Sequence, residues 1–187
     1  MASHFSFVDA VVADRDLVVT SAGAHVCRVE PRESALAWYC DLDDGTPTGE
    51  SDPASFVRWV CPALRIGLPA TGAPVPLLVR RSGSHSDIGR LMTILRRFAG
   101  RPAGDVEQRF SYTDPAGVLD VDLRRRIENW PSARHGDGVV RPAELWSIAR
   151  TREGLVVESV SWWGSAQVLD HQIGLAVDIA HRLTAQR

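Results

Sequence analysis

Apolar residues in the first forty positions fall in short valine-rich runs divided by charged turns, a spacing that predicts strands. FSFVDAVV and DLVVTSAG flank the turn Ala13–Asp16, and AHVCRVE and SALAWYCDL flank Pro31–Glu33. β-Branched and aromatic residues between turn residues are what paired strands are made of. For Ser34–Leu42 a short helix is the alternative. DDGTPTGESDP has no apolar period and predicts a loop. Asp52 followed by Pro53 has the form of a helix cap with proline in the first turn, so a helix is expected from there to Pro62.

Beyond a second loop, GLPATGAP, the run VPLLVRR reads as a strand. Ile88, Leu91, Leu95 and Phe98 then make one stripe at helical spacing, capped by Ser84 or Ser86 and stopped by Gly100 and Pro102. VEQRFSY predicts another strand. Asp114–Pro115 is expected to open a helix with Leu119, Leu123, Ile127 and Trp130 on one face and Arg124–Arg126 on a solvated one. ELWSIART and LVVESVSWW flank Arg152–Gly154, a tight hairpin signal. From Ser165 to about Ala185, Leu169, Ile173, Ala176, Ala180 and Leu183 recur at helical spacing. Gly174 weakens that helix by roughly 1 kcal/mol relative to alanine, so close contact with a neighbour is expected there.

Strands that follow one another directly favour antiparallel pairing. The expected class is α+β: a mainly antiparallel sheet with helices packed on one side, ending in a β-hairpin and a long C-terminal helix. No repeat or linker divides the chain, so residues 1–187 are expected to form a single domain.

Composition narrows the chemistry. All 21 basic residues are arginine. A Schiff-base mechanism, a pyridoxal phosphate anchor and a Walker-type phosphate loop each need lysine and are excluded. A net charge of −2 gives no basic field for nucleic acid. No run is long and apolar enough for a membrane span, and the amino terminus lacks the form of a secretory signal. Cys27, Cys40 and Cys61 are an odd set without a C-x-x-C pair, which predicts reduced thiols in a cytoplasmic protein and no structural metal. No cofactor is expected.

Few residues suggest catalysis. SARHGDGVV places His135 and Asp137 two apart in a glycine-flanked loop, where a carboxylate could raise the imidazole pKa for proton transfer. The competing reading is a plain turn, since Gly-Asp-Gly suits turn conformations. His85–Asp87 suits a helix start, and His171 sits beside the stripe of the last helix. GSHSDIG lacks the spacing of a nucleophile elbow. Asp41, Asp43 and Asp44 lack the glycine and closing glutamate of a calcium loop and are expected in a solvated loop. Cys40, in an apolar run, predicts an inert packed thiol.

Tryptophan exceeds expectation, with six residues. Trp162 and Trp163 cannot share one face of a regular strand, so one of them is a candidate binding residue. In a regular hairpin one face gathers Trp146, Ile148, Leu155, Val157 and Trp163, and the other Leu145, Ala149, Val156, Val160 and Trp162. The first is expected to pack on the terminal helix. The second is then left for a partner. The function expected on these grounds is non-catalytic recognition of a protein or peptide through an aromatic sheet face or groove. A small apolar ligand is a further possibility, and a small cofactor-independent enzyme using His135 and Asp137 is the alternative. Neither nucleic acid nor membrane is an expected partner.

Overall fold

The computed structural model describes residues 5–23, 25–43, 54–66, 77–81, 109–131, 133–134, 140–141, 143–162 and 165–186. In chain order these form α1 (Ser6–Asp14), β1 (Leu17–Ala22), β2 (Val26–Pro31), β3 (Tyr39–Asp43), β4 (Ala54–Cys61), a 3-10 turn (Pro62–Leu64), β5 (Leu78–Arg81) and β6 (Phe110–Thr113). There follow α2 (Val121–Glu128), β7 (Ala133–Arg134), β8 (Val140–Arg141), β9 (Ala143–Arg150), β10 (Leu155–Trp162) and α3 (Ala166–Ala185).

Eight strands make one sheet in the order β1-β2-β3-β4-β10-β9-β5-β6, and every neighbouring pair is antiparallel. The short pair β7-β8 stands apart from it. The class is α+β, as the strand-rich start and the final hairpin and helix imply. α3 lies on the inner face of β4 and β10 at the centre of the sheet, with α1 and α2 packed against it. Val57, Trp59, Leu145, Ile148, Leu155 and Val157 face this helical layer and are fully or almost fully buried. Val168, Leu169, Ile173, Ala176, Ile179 and Leu183 meet them from α3. Ser165 caps α3 by accepting the Val168 N–H, satisfying one of the orphan donors of its first turn.

Three elements differ from expectation. FSFVDAVV is the helix α1, because Phe5, Val8 and Val11 recur every three residues and bury one stripe. The helix expected after Asp52–Pro53 is the strand β4. There Val57, Trp59 and Cys61 point inward while Phe56 and Arg58 point outward, so period-two alternation prevails over the cap signal. The helix expected from Asp114 begins later: Asp114 instead accepts the Val118 and Leu119 N–H groups at 2.9 and 2.7 Å, and Asp120 is the cap of α2. The helix expected over Ile88–Phe98 lies outside the described residues.

The final hairpin is not regular. Glu158 pairs with Ser147 and Ser159 with Leu145, so Trp146 is the extra residue of a β-bulge. Leu145 and Ile148 therefore both face the helices, while Trp146 turns to the opposite side. The faces expected for Trp146 and Leu145 are corrected accordingly. Of the rest of that inner set, Ile148, Leu155 and Val157 pack on the helical layer, and Trp163 lies outside the described residues.

Candidate functional site

The outer face of the sheet is the one the described helices leave uncovered. Its register aligns one residue from each of the eight strands in a single row: Ser21, Arg28, Asp41, Arg58, Glu158, Ser147, Arg80 and Ser111. Opposite charges alternate across the three strand boundaries from β2 to β10, as Arg28, Asp41, Arg58 and Glu158. Arg28 donates from Nε and Nη2 to the two carboxylate oxygens of Asp41, at 2.5 and 2.8 Å, and lies 4.1 Å from the Tyr39 ring centroid. Arg58 donates from Nε to Glu158 at 3.2 Å and from Nη2 to Glu153 of the β9-β10 turn. Ser147 donates to the remaining Glu158 oxygen at 2.9 Å. These carboxylates raise the pKa of both guanidiniums, in each case chiefly through the hydrogen bond, from Asp41 to Arg28 and from Glu153 to Arg58. The row is thus a fixed, largely self-neutralised polar floor.

Beside it lies an apolar wall. Phe56, Trp146 and Val26 are 54%, 49% and 46% exposed, unlike the aromatic residues of the inner face. With Ser21, Arg28, Asp41, Asp43, Arg58 and Glu158 they line a cleft of about 640 Å³, a volume in the range of ligand-binding clefts. The bulge in β9 brings Trp146 here, which is what bulges beside binding sites commonly do to a side chain. A second hollow of about 340 Å³ adjoins it, lined by Ser147, Ala149, Thr151, Arg152, Glu153 and Val156, and shares Arg58 and Glu158 with the first. The two form one trough along β4 and β10 with the Arg58–Glu158 pair as its central bar.

Of the residues singled out by sequence, His135 and Asp137 fall in the connection 135–139 between β7 and β8, outside the described residues, as does Trp163. Trp162 ends β10 opposite Ala54, and its side chain is likewise outside them. Asp41 and Asp43 belong to β3 rather than to a solvated loop. Cys27, Cys40 and Cys61 are free and buried, and burial pushes the Cys40 thiol far up, so it is an inert packed thiol. His171 is part-buried between α3 and α2. Its Nε2–H donates to the Arg126 carbonyl at 3.2 Å, and its ring stands edge-on to Trp130 at 5.1 Å. Among the described residues no three His, Cys, Asp or Glu side chains gather as a metal site, and no helix is long and apolar enough to cross a membrane.

Sequence reasoning missed Phe56, Arg58 and the Trp146 wall. Reading β4 as a strand would have found the first two by alternation. The bulge leaves no comparable signal. In comparisons with known proteins, the chain matches no family model, no curated protein and no solved structure.

Proposed function

We propose that the protein is a non-catalytic cytoplasmic binding protein whose outer sheet face recognises a peptide segment of a partner protein. The observation that carries this is the trough itself: three large apolar side chains about half exposed, set beside a polar floor whose groups already hold one another in place. Bulky aromatic and aliphatic anchors on a pre-organised surface are where binding energy concentrates. Carboxylates and guanidiniums bound to each other leave apolar contact as the main attraction, with polar complementarity setting which peptide fits. The three buried free thiols suit a reducing compartment. The volume of the larger cleft also suits a small apolar molecule.

Panning a random peptide library on the full chain, with the selected peptides retested by calorimetry, examines this. Selected peptides should share a bulky apolar residue and lose at least about tenfold in affinity against Phe56→Ser/Trp146→Ser, as expected for lost hot-spot anchors. Absence of enrichment, or peptides that bind the double variant equally well, would overturn the proposal. An apolar small molecule that binds the wild type and not the double variant, where no peptide does, would favour the small-ligand reading.

A further inference from the structure

We propose that the trough selects an extended segment with a bulky apolar residue, a Lys or Arg two residues on, and a small apolar residue two further on, lying along β4 and β10. This rests on the peptide-binding role given to the outer face. Three features of the trough lead to it.

First, its floor is ruled in strand-spaced rows. The Phe56–Val160 pair, the Arg58–Glu158 pair and the Val156–Ala149 pair succeed one another along β4, β10 and β9; Val156 is almost fully buried, so the part-exposed Ala149 offers the apolar contact of the third row. Same-side residues of any extended chain repeat at about the same 6.6–6.8 Å interval. An extended segment parallel to the strands therefore sets its alternate side chains over successive rows, apolar, charged and apolar.

Second, positive charge is locally short at the Arg58–Glu158 pair. A single guanidinium, Arg58, serves two carboxylates, Glu153 and Glu158; of the other cations of the row, Arg28 is engaged with Asp41 and Arg80 stands beyond Ser147, two strands from Glu158. Each Glu158 oxygen accepts one hydrogen bond, from Arg58 or from Ser147, and so retains acceptor capacity. A cationic side chain two residues from the apolar anchor would reach this row and complete its charge.

Third, the two ends differ. The larger cleft has Phe56, Trp146 and Val26 and takes a bulky side chain. The smaller ends on Ala149 and Val156, with Arg152 beside them. A basic residue there would meet a like charge, and a small apolar one would not.

Calorimetry on the full chain with capped peptides tests the proposal. The core sequence Leu-Ser-Arg-Ser-Ala, flanked by Gly-Ser, is compared with one carrying Glu for Arg and one with Arg moved next to Leu. The first should bind about two- to fivefold tighter than either, the scale of one partly screened ion pair. Glu158→Gln, which keeps the shape and the Ser147 contact, should erase that preference while leaving affinity for the Glu peptide unchanged or improved. Equal binding of all three peptides, lost in Trp146→Ala, would overturn the motif and leave the peptide-binding role standing. Binding unaffected by Trp146→Ala, or no binding by these peptides or by any panned peptide, would overturn both.

Discussion

Ser159 and Gln172 hydrogen-bond to each other in the interior, where β10 meets α3. Both are fully buried, the polar residues of an otherwise apolar layer. Gln172 Nε2 also donates to the carbonyls of Val57 and Val157, at 3.1 and 2.9 Å. Its amide therefore ties the terminal helix to the two central strands at one register. Gln172→Leu should destabilise the protein by about 2–3 kcal/mol, because it strands the Ser159 hydroxyl in apolar surroundings as well as removing three bonds. Adding Ser159→Ala should recover part of that loss, since an unpaired buried hydroxyl costs more than its absence. Urea unfolding of the two single variants and the double variant gives the coupling; strict additivity would refute the shared network.

Two glycines should respond in opposite directions. Gly154, at φ +141°, closes the β9-β10 turn, and a Cβ there would stand 2.6 Å from the Cys61 carbonyl carbon and 2.9 Å from Pro62 Cα. Both are backbone atoms that cannot step aside, so Gly154→Ala should cost about 3 kcal/mol or more, through strain and displacement of β10 from β4. Gly174 lies mid-helix under the guanidiniums of Arg15 and Arg126, which reach over it to Asp170 and Asp178. A Cβ at Gly174 would meet the Arg15 terminus tightly, at 3.0 Å, and Arg126 Nη2 in ordinary contact at 3.5 Å. The Arg15 tip can shift, so Gly174→Ala should stabilise by up to about 1 kcal/mol from helix propensity. Denaturation midpoints should move down for the first variant and up for the second.

Much of this fold was legible in the chain, and the losses have particular causes. The strands β1, β2, β5 and β10 and the helix α3 follow from alternation or helical spacing long enough to be unambiguous. The expected close contact at Gly174 is met by two arginines rather than by packed backbone. β4 was obscured because Asp52–Pro53 imitates a helix start, and α1 because its valines suit a strand equally well. The charged row of the outer face is a product of register. Arg28, Asp41, Arg58 and Glu158 are far apart in sequence, and only the pairing of four strands sets them side by side. Trp146 depends on one skipped residue in a ladder, and such a skip reverses the facing of every position beyond it.

His171 should make stability depend on pH. Burial between α2 and α3 is the largest cause lowering its pKa from the ordinary 6.5, and the Arg126 charge adds to it; the hydrogen bond to the Arg126 carbonyl and the Asp170 charge oppose it. With the folded value below the unfolded one, the unfolded chain binds more protons in the interval between them, so stability rises with pH there. The contribution is complete above about pH 6.5 and is lost as pH falls through the folded value. His171→Gln, which keeps a donor for the Arg126 carbonyl, should flatten that part of the profile. Urea midpoints at pH 7.5 and 5.5 should fall further for wild type than for the variant. An equal fall would assign the acid sensitivity to other groups.

The sharpest separation of scaffold from surface lies between Trp59 and Trp146. Trp59 is fully buried, its ring centroid 5.7 Å from that of Trp38 with the two planes tilted by 36°, and Trp59→Ala should cost about 3–5 kcal/mol, the usual loss for a large aromatic removed from a core. Trp146 stands half exposed at the bulge with helices behind it on the other side of the sheet. Trp146→Ala should cost clearly less, about 1–2 kcal/mol, because half of its surface already lies in water in the folded protein. Paired urea melts of the two variants, with far-ultraviolet circular dichroism to confirm that each still folds, decide the point. A Trp146→Ala loss near that of Trp59→Ala would make the outer aromatic wall a second core layer, and a peptide site could not be built on it.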